Sequence, residues 1–247
     1  MPTVNEGESV TLGRTASRSM TDYVRLHAPP RPPFVTLQSM PSLRLLLANH
    51  APILLLDAAS ACIQVGWLQA RETMRWATSN DEAGVGVFEC IEALAAKPGD
   101  AGAFVFCDGP GSVLGIRTTA MAVRSWCVLK PRPVFAYHSL AVVAETLGCA
   151  DVTVIADARR DAWHCIRAAG ALRRVPSSEL TSKLVMPDGF RNWSTLPAEV
   201  ERVPYSLAEI LPRAIDADLF RATDAPDAFL HEEPNYATWT PQVHRAP

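Results

Sequence analysis

Three short apolar runs, each closed by an aspartate, constrain this fold more than any other feature. They are Ile53-Leu54-Leu55-Leu56-Asp57, Ala103-Phe104-Val105-Phe106-Cys107-Asp108 and Val152-Thr153-Val154-Ile155-Ala156-Asp157. Continuous apolar runs this short suit strands buried on both faces. Small-residue turns and helical stretches lie between them. The segments 62–68 and 73–78 read as strands that follow the first run through tight turns, an antiparallel meander. Helices are expected at 81–96, 116–130 and 138–147, with strands at 103–107, 134–137, 152–156, 162–168 and 171–175. Three strands, then strand and helix in alternation, give an α/β fold with a mixed sheet. Beyond Pro176 the pattern weakens under many prolines.

Within the first long helix, Phe88, Ile91, Leu94 and Ala95 are expected on the core face, with Asn80 or Asp81 as the cap. In the second, Ile116, Ala120, Val123 and Cys127 form one stripe. Arg117 and Arg124 fall within about 20° of each other on another.

The chain has 247 residues, 48% of them apolar, so it can build a sizeable core. A formal charge of −3 gives it no overall electrostatic reason to grip nucleic acid. Its six cysteines are scattered with no C-x-x-C pair, and are expected as free thiols in a reducing cytoplasm. The longest apolar stretch, Leu43 to Leu56, is broken by Arg44, Asn49, His50 and Pro52 and is too short to span a bilayer. Residues 1–39, with Pro29, Pro30, Pro32 and Pro33 and no hydrophobic period, read as a disordered extension or an over-long gene start.

The most informative segment is the loop Asp108-Gly109-Pro110-Gly111-Ser112-Val113-Leu114-Gly115. A strand, a glycine turn and a helix N-terminus make an anion cradle. No Lys-Ser/Thr pair follows, the glycine spacing is not that of a dinucleotide site, and Pro110 stands where a nucleophile elbow needs glycine. The competing reading is a tight turn whose glycines let loop and sheet approach closely. Asp57, Asp108 and Asp157 at strand ends could together bind a divalent metal, as in a phosphotransferase or nuclease. Alternatively, each simply terminates its strand. The six histidines form no metal-binding pattern.

Taken together, the segments resemble the TsaB (YeaZ-like) family. Four blocks carry the resemblance. They are Ile53–Ser60 with Cys62–Gly66, the loop Gly109-Pro110-Gly111-Ser112-Val113-Leu114-Gly115-Ile116-Arg117, the segment Pro133–Leu140, and Ile155-Ala156-Asp157-Ala158-Arg159-Arg160-Asp161-Ala162-Trp163. A weaker echo stands at Pro234-Asn235-Tyr236. The chain departs from the family at Ala58-Ala59, at Val113-Leu114, at Thr118-Thr119 and at Ser79-Asn80-Asp81.

The resemblance implies an actin-like ATPase (ribonuclease H-like) fold, with a mixed sheet and flanking helices. It implies an N-terminal lobe over residues 40–150 and a smaller, reduced C-terminal lobe over 151–247. It also implies a non-catalytic subunit, without cofactor or metal, in forming N6-threonylcarbamoyladenosine in tRNA. Such a subunit binds and activates a TsaD-like protein as a heterodimer, with ATP-hydrolysing TsaE as a third member, and reaches tRNA only indirectly. The signature loop maps to Gly109, Pro110, Gly111, Ser112, Gly115 and Arg117. The partner contact maps to the first two helices, with Gly84 and Ala120 allowing close approach and Phe88, Ile91 and Val123 as apolar anchors. Tryptophan at position 120 would then block pairing without unfolding the chain. A homodimer formed by the same helices is the remaining alternative.

Overall fold

A computed structural model describes residues 40–181, 183–197 and 199–229. The extension expected over residues 1–39 and the echo at 234–236 lie outside the described residues.

The first sheet opens with β1 (Ile53–Asp57), β2 (Ile63–Leu68) and β3 (Met74–Ser79), an antiparallel meander as the tight turns predict. Helix α2 (Ala83–Ala93) leads to β4 (Ala103–Gly109), and α3 (Val113–Leu129) leads to β5 (Val134–His138). Both β4 and β5 run parallel to β1, giving the order β5-β4-β1-β2-β3. Helix α4 (Ser139–Leu147) then crosses to the second sheet. Its strands are β6 (Val152–Asp157), β7 (Ala162–Ile166), β8 (Arg173–Pro176), β9 (Lys183–Pro187) and β10 (Val200–Val203).

The second sheet repeats the first. Its order is β10-β9-β6-β7-β8, with β6–β7 and β7–β8 antiparallel and β6–β9 and β9–β10 parallel. Two successive units of this topology constitute the actin-like arrangement of ribonuclease H-like folds. The second unit is reduced. Among the described residues, a single 3-10 turn (Ser177–Glu179) stands where α2 stands in the first unit, and no helix joins β9 to β10. Only α5 (Leu207–Arg213) remains, after β10 as α4 follows β5. The chain then returns to the first sheet as β11 (Arg221–Ala222), antiparallel to β5.

Burial explains why these runs became strands. Every residue of β1, β2 and β4 is buried. Leu54 and Leu56 face a core under α2 and α3, while Ile53 and Leu55 face a second core shared with α4, α5 and the other sheet. Each such leucine contributes roughly 1.5–3 kcal/mol by leaving water. No helix among the described residues is long and apolar enough to cross a membrane. All six cysteines are free.

Several expectations need correction. An additional helix, α1 (Leu43–His50), precedes β1. Ser42 caps it, and Leu43 and Leu46 are buried. Its near-continuous leucines hide the helical period. Helix α2 is shorter than 81–96 because two glycines weaken it. Glu82 stands at its N-cap without a side-chain hydrogen bond, and neither Asn80 nor Asp81 caps it. Its buried stripe is Val87, Cys90, Ile91 and Leu94, leaving Phe88 and Ala95 exposed. Helix α3 begins at Val113 rather than at residue 116, because the Ser112 hydroxyl accepts from the Gly115 N–H and starts it a turn earlier. Beyond Pro176 the chain forms β9, β10, α5 and β11 despite Pro187 and Pro212.

Candidate functional site

The signature loop turns from β4 into α3 against the β1–β2 turn. The Ser112 N–H donates to the Ala59 carbonyl at 2.7 Å. The Ser139 hydroxyl donates to the Pro110 carbonyl at 2.6 Å. A Cβ on Gly111 would stand 2.8 Å from the Ala59 Cβ, and one on Gly115 would overlap the Ala58 carbonyl oxygen. Both glycines are thus needed for close approach of backbone to backbone, the tight-turn reading of this loop. Replacing Gly115 by alanine is expected to cost about 1–3 kcal/mol in urea unfolding, since the Ala58 backbone must move. Gly84→Ala is the contrasting variant. Nothing lies within 4 Å of its would-be Cβ. Helix propensity alone then predicts a gain of about 0.5–1 kcal/mol. A tolerated Gly115→Ala would show that the turn has room to shift.

Arg117 and Arg124 share a stripe, as their spacing predicts, and both guanidinium groups face Asp227, at 3.8 and 3.6 Å. These exposed pairs contribute little stability.

The three strand-end aspartates do not gather. Among the described residues, no group of three or more His, Cys, Asp or Glu side chains could hold a metal ion. Each carboxylate is engaged locally instead. Asp57 is fully buried. Its Oδ2 accepts from the hydroxyls of Tyr137 and Tyr205, each at 2.6 Å, and its Oδ1 accepts from the Ala59 N–H at 2.9 Å. Burial pushes its pKa above the ordinary carboxylate value, and these donors offset only part of the rise. Asp108 is buried between His138 Nδ1 and the Arg221 guanidinium, both at 2.8 Å. Asp157 accepts from the backbone N–H groups of Arg159, Trp193 and Ser194. Partial burial opposes ionisation there, but those N–H groups outweigh it and hold the carboxyl below its ordinary range.

His138, which sequence reasoning missed, packs edge-on against Phe229 with ring centroids 4.9 Å apart. Its signal was a polar residue at the end of an apolar strand. An aspartate-held imidazole could serve as a base. However, the neighbouring Ser139 hydroxyl bonds the Pro110 carbonyl, and Ser112 bonds the Gly115 N–H. The hydrogen bond from serine nucleophile to histidine base is therefore not made by either residue.

The residues expected at a partner contact divide in two. Ile91, Ala120 and Val123 are 7%, 1% and 0% exposed and belong to the chain's own core. Burial withdraws them as anchors, and tryptophan at 120 would overpack that core. Gly84 is exposed, and Phe88 is 49% exposed with its ring edge-on to Trp126. The structure adds residues that the sequence reading missed. Leu114, Met121 and Val128, seven apart, run along the solvent side of α3, opposite its core stripe. They are 78%, 55% and 83% exposed. Between them, the Thr118 and Ser125 hydroxyls donate back to the Leu114 and Met121 carbonyls. Their polarity is thereby spent on the helix itself. Val85 and Leu129 are also exposed. The outer side of α3 is an apolar stripe about four turns long.

No protein-family model and no curated protein sequence matches the chain. Among solved structures it is similar to YeaZ from Pseudomonas aeruginosa, at 21% identity and a TM-score of 0.45, covering 55% of this chain and 75% of that one. It is also similar to a protein described as having similarity to peptidase YeaZ from Pseudomonas aeruginosa. There the identity is 20% and the TM-score 0.48, covering 66% of this chain and 87% of the other. The chain is an actin-like α/β protein similar to YeaZ, which is the family its motifs resemble.

Proposed function

We propose that this chain is a TsaB-like accessory subunit in tRNA N6-threonylcarbamoyladenosine formation. It docks on a TsaD-like enzyme and supplies no catalytic group of its own. The observation that carries the reading is the apolar stripe Leu114–Met121–Val128 on the outer side of α3, with Val85 and Phe88 exposed on α2. Large apolar side chains repeated along one exposed face mark an interaction surface. Activation follows if the enzyme's active conformation binds this face more tightly than its inactive one, because a ligand shifts an equilibrium only by its differential affinity.

The test mixes the chain with its cognate TsaD and follows mass by light scattering after gel filtration. A heterodimer at micromolar concentration is expected. Two unmixed peaks would overturn the reading. The chain alone, run in parallel, reports whether the same stripe pairs two copies.

A further inference from the structure

The β6–β7 turn and the β9–β10 connection meet on the second sheet, away from the helices of the docking stripe. Asp157 joins them. Its Oδ1 accepts from the Arg159 N–H, and its Oδ2 accepts from the N–H groups of Trp193 and Ser194, both at 2.6 Å. The carboxylate is thereby turned onto backbone, and what faces outward is cationic and aromatic. Trp193 is 61% exposed, and the Arg159 guanidinium lies over its ring at 4.5 Å from the centroid. Arg160 and Arg191 flank the pair in sequence and are exposed. Arg202 donates to the Asn192 side chain beside the tryptophan, and Arg174 donates to the Arg159 carbonyl. Asp161 is held by the Ser177 hydroxyl, and Asp188 is the remaining acid of this surface.

Arg159, Arg160 and Asp161 have φ of 61°, 54° and 57°, a left-handed run of three residues without glycine. Such a run costs energy for L-residues. The Asp157 bond to the Arg159 N–H and the Ala162 N–H bond to the Arg159 carbonyl hold it. Its effect is to present two consecutive arginines beside an indole.

We propose that this Trp193–arginine platform binds single-stranded RNA. An unpaired base stacks on the open part of the indole, while Arg159, Arg160 and Arg191 meet flanking phosphates. Stacking on an aromatic face combined with cationic phosphate contacts is how proteins hold single strands without reading sequence. The whole-chain charge of −3 conceals the platform because the arginines are local and the acids lie mostly elsewhere. Duplex RNA, with its bases stacked internally, offers no base to the tryptophan.

The experiment titrates the full chain into fluorescein-labelled oligouridine at about 50 mM salt and follows anisotropy. Micromolar binding is expected, with affinity falling by about 0.7 log units per log unit of salt for each phosphate contacted. Trp193→Ala should weaken binding roughly tenfold or more, and Trp193→Phe should restore most of it. Arg159→Asn with Arg160→Asn keeps residues that tolerate the left-handed turn and should flatten the salt slope by roughly one unit. Urea unfolding of each variant shows that the exposed substitutions leave the fold intact. No binding at about 100 μM, or binding that Trp193→Ala leaves unchanged, overturns the proposal. So does equal binding of polyglutamate, blunt RNA duplex or anionic vesicles, since each would make the surface a general anion or polyelectrolyte binder. These outcomes are independent of TsaD pairing, which rests on the other sheet's helices.

Discussion

Replacing Asp57 with alanine is expected to lower the unfolding free energy by about 3–5 kcal/mol, a large share of a typical domain's 5–15 kcal/mol. The carboxylate collects the hydroxyls of Tyr137 from β5 and Tyr205 from the segment after β10, together with the Ala59 N–H. Removing it strands three buried donors, each costing roughly 1–3 kcal/mol when left unpaired. The same region is tied by Gln64, whose side-chain amide donates to the Tyr205 carbonyl and accepts from the Leu207 N–H. Asp57 therefore bonds across from one sheet's strands to the other's chain. Tyr137→Phe and Tyr205→Phe should each cost less than Asp57→Ala, and the double variant should be non-additive because the two hydroxyls share one oxygen. Urea unfolding decides it, and a loss under about 1 kcal/mol for Asp57→Ala would show that the cluster relaxes or admits water.

The pH dependence follows from the two equivalent aspartates having opposite surroundings. Burial, opposed only in part by its donors, raises the folded pKa of Asp57 above its ordinary 3.8, so the folded state holds this proton to higher pH than the unfolded chain. Its contribution to stability is complete below pH 3.8 and erodes as pH rises through the folded pKa. Asp157 has a folded pKa below 3.8, so its contribution is present above that pH and is lost as pH falls through the folded value. Asp57→Asn should remove the first trend and Asp157→Asn the second, measured as urea midpoints across pH 3–8 or so.

These aspartates also show how far the sequence could be read. Apolar runs ending in Asp57, Asp108 and Asp157 announced buried strands, since only residues covered on both faces can be apolar without alternation. The runs did not show that the second unit repeats the first, because the repeat lies in sheet order, with few residues in common. At the end of each unit's first strand, the aspartate accepts from the N–H two residues on, at Ala59 and at Arg159. Only the folded chain shows that equivalence. The boundary of α3 escaped because Gly115 lowers helix propensity, whereas the structure needs it inside the first turn for clearance from Ala58. Ala120 was assigned to a contact because it is small, but smallness equally suits a helix packed tightly on its own sheet. The distinguishing signal was present. Helix α3 carries two apolar stripes, Ile116–Ala120–Val123 and Leu114–Met121–Val128, and one sheet can cover only one of them. Contacts such as Asp157 with Trp193 join residues 36 apart and follow from no local pattern.

The second large effect is expected from the uncovered stripe. Met121→Glu combined with Leu114→Glu places two carboxylates seven residues apart on the outer side of α3, where both native side chains are more than half exposed. The free chain keeps its stability within about 0.5 kcal/mol, because neither site touches the core and glutamate is a good helix former. In a complex with TsaD the same carboxylates must lose water against an apolar face without a partner charge. At several kcal/mol for the pair, affinity falls by a factor of roughly 100 or more. Ala120→Trp behaves in the opposite way. It forces an indole into the packed space under α3 and is expected to cost about 3 kcal/mol or more of folding stability before any pairing is measured. Calorimetry with TsaD, alongside urea unfolding of the free chains, separates the two variants. A doubly charged stripe that still binds TsaD within threefold of the native chain would move the docking surface off α3 altogether.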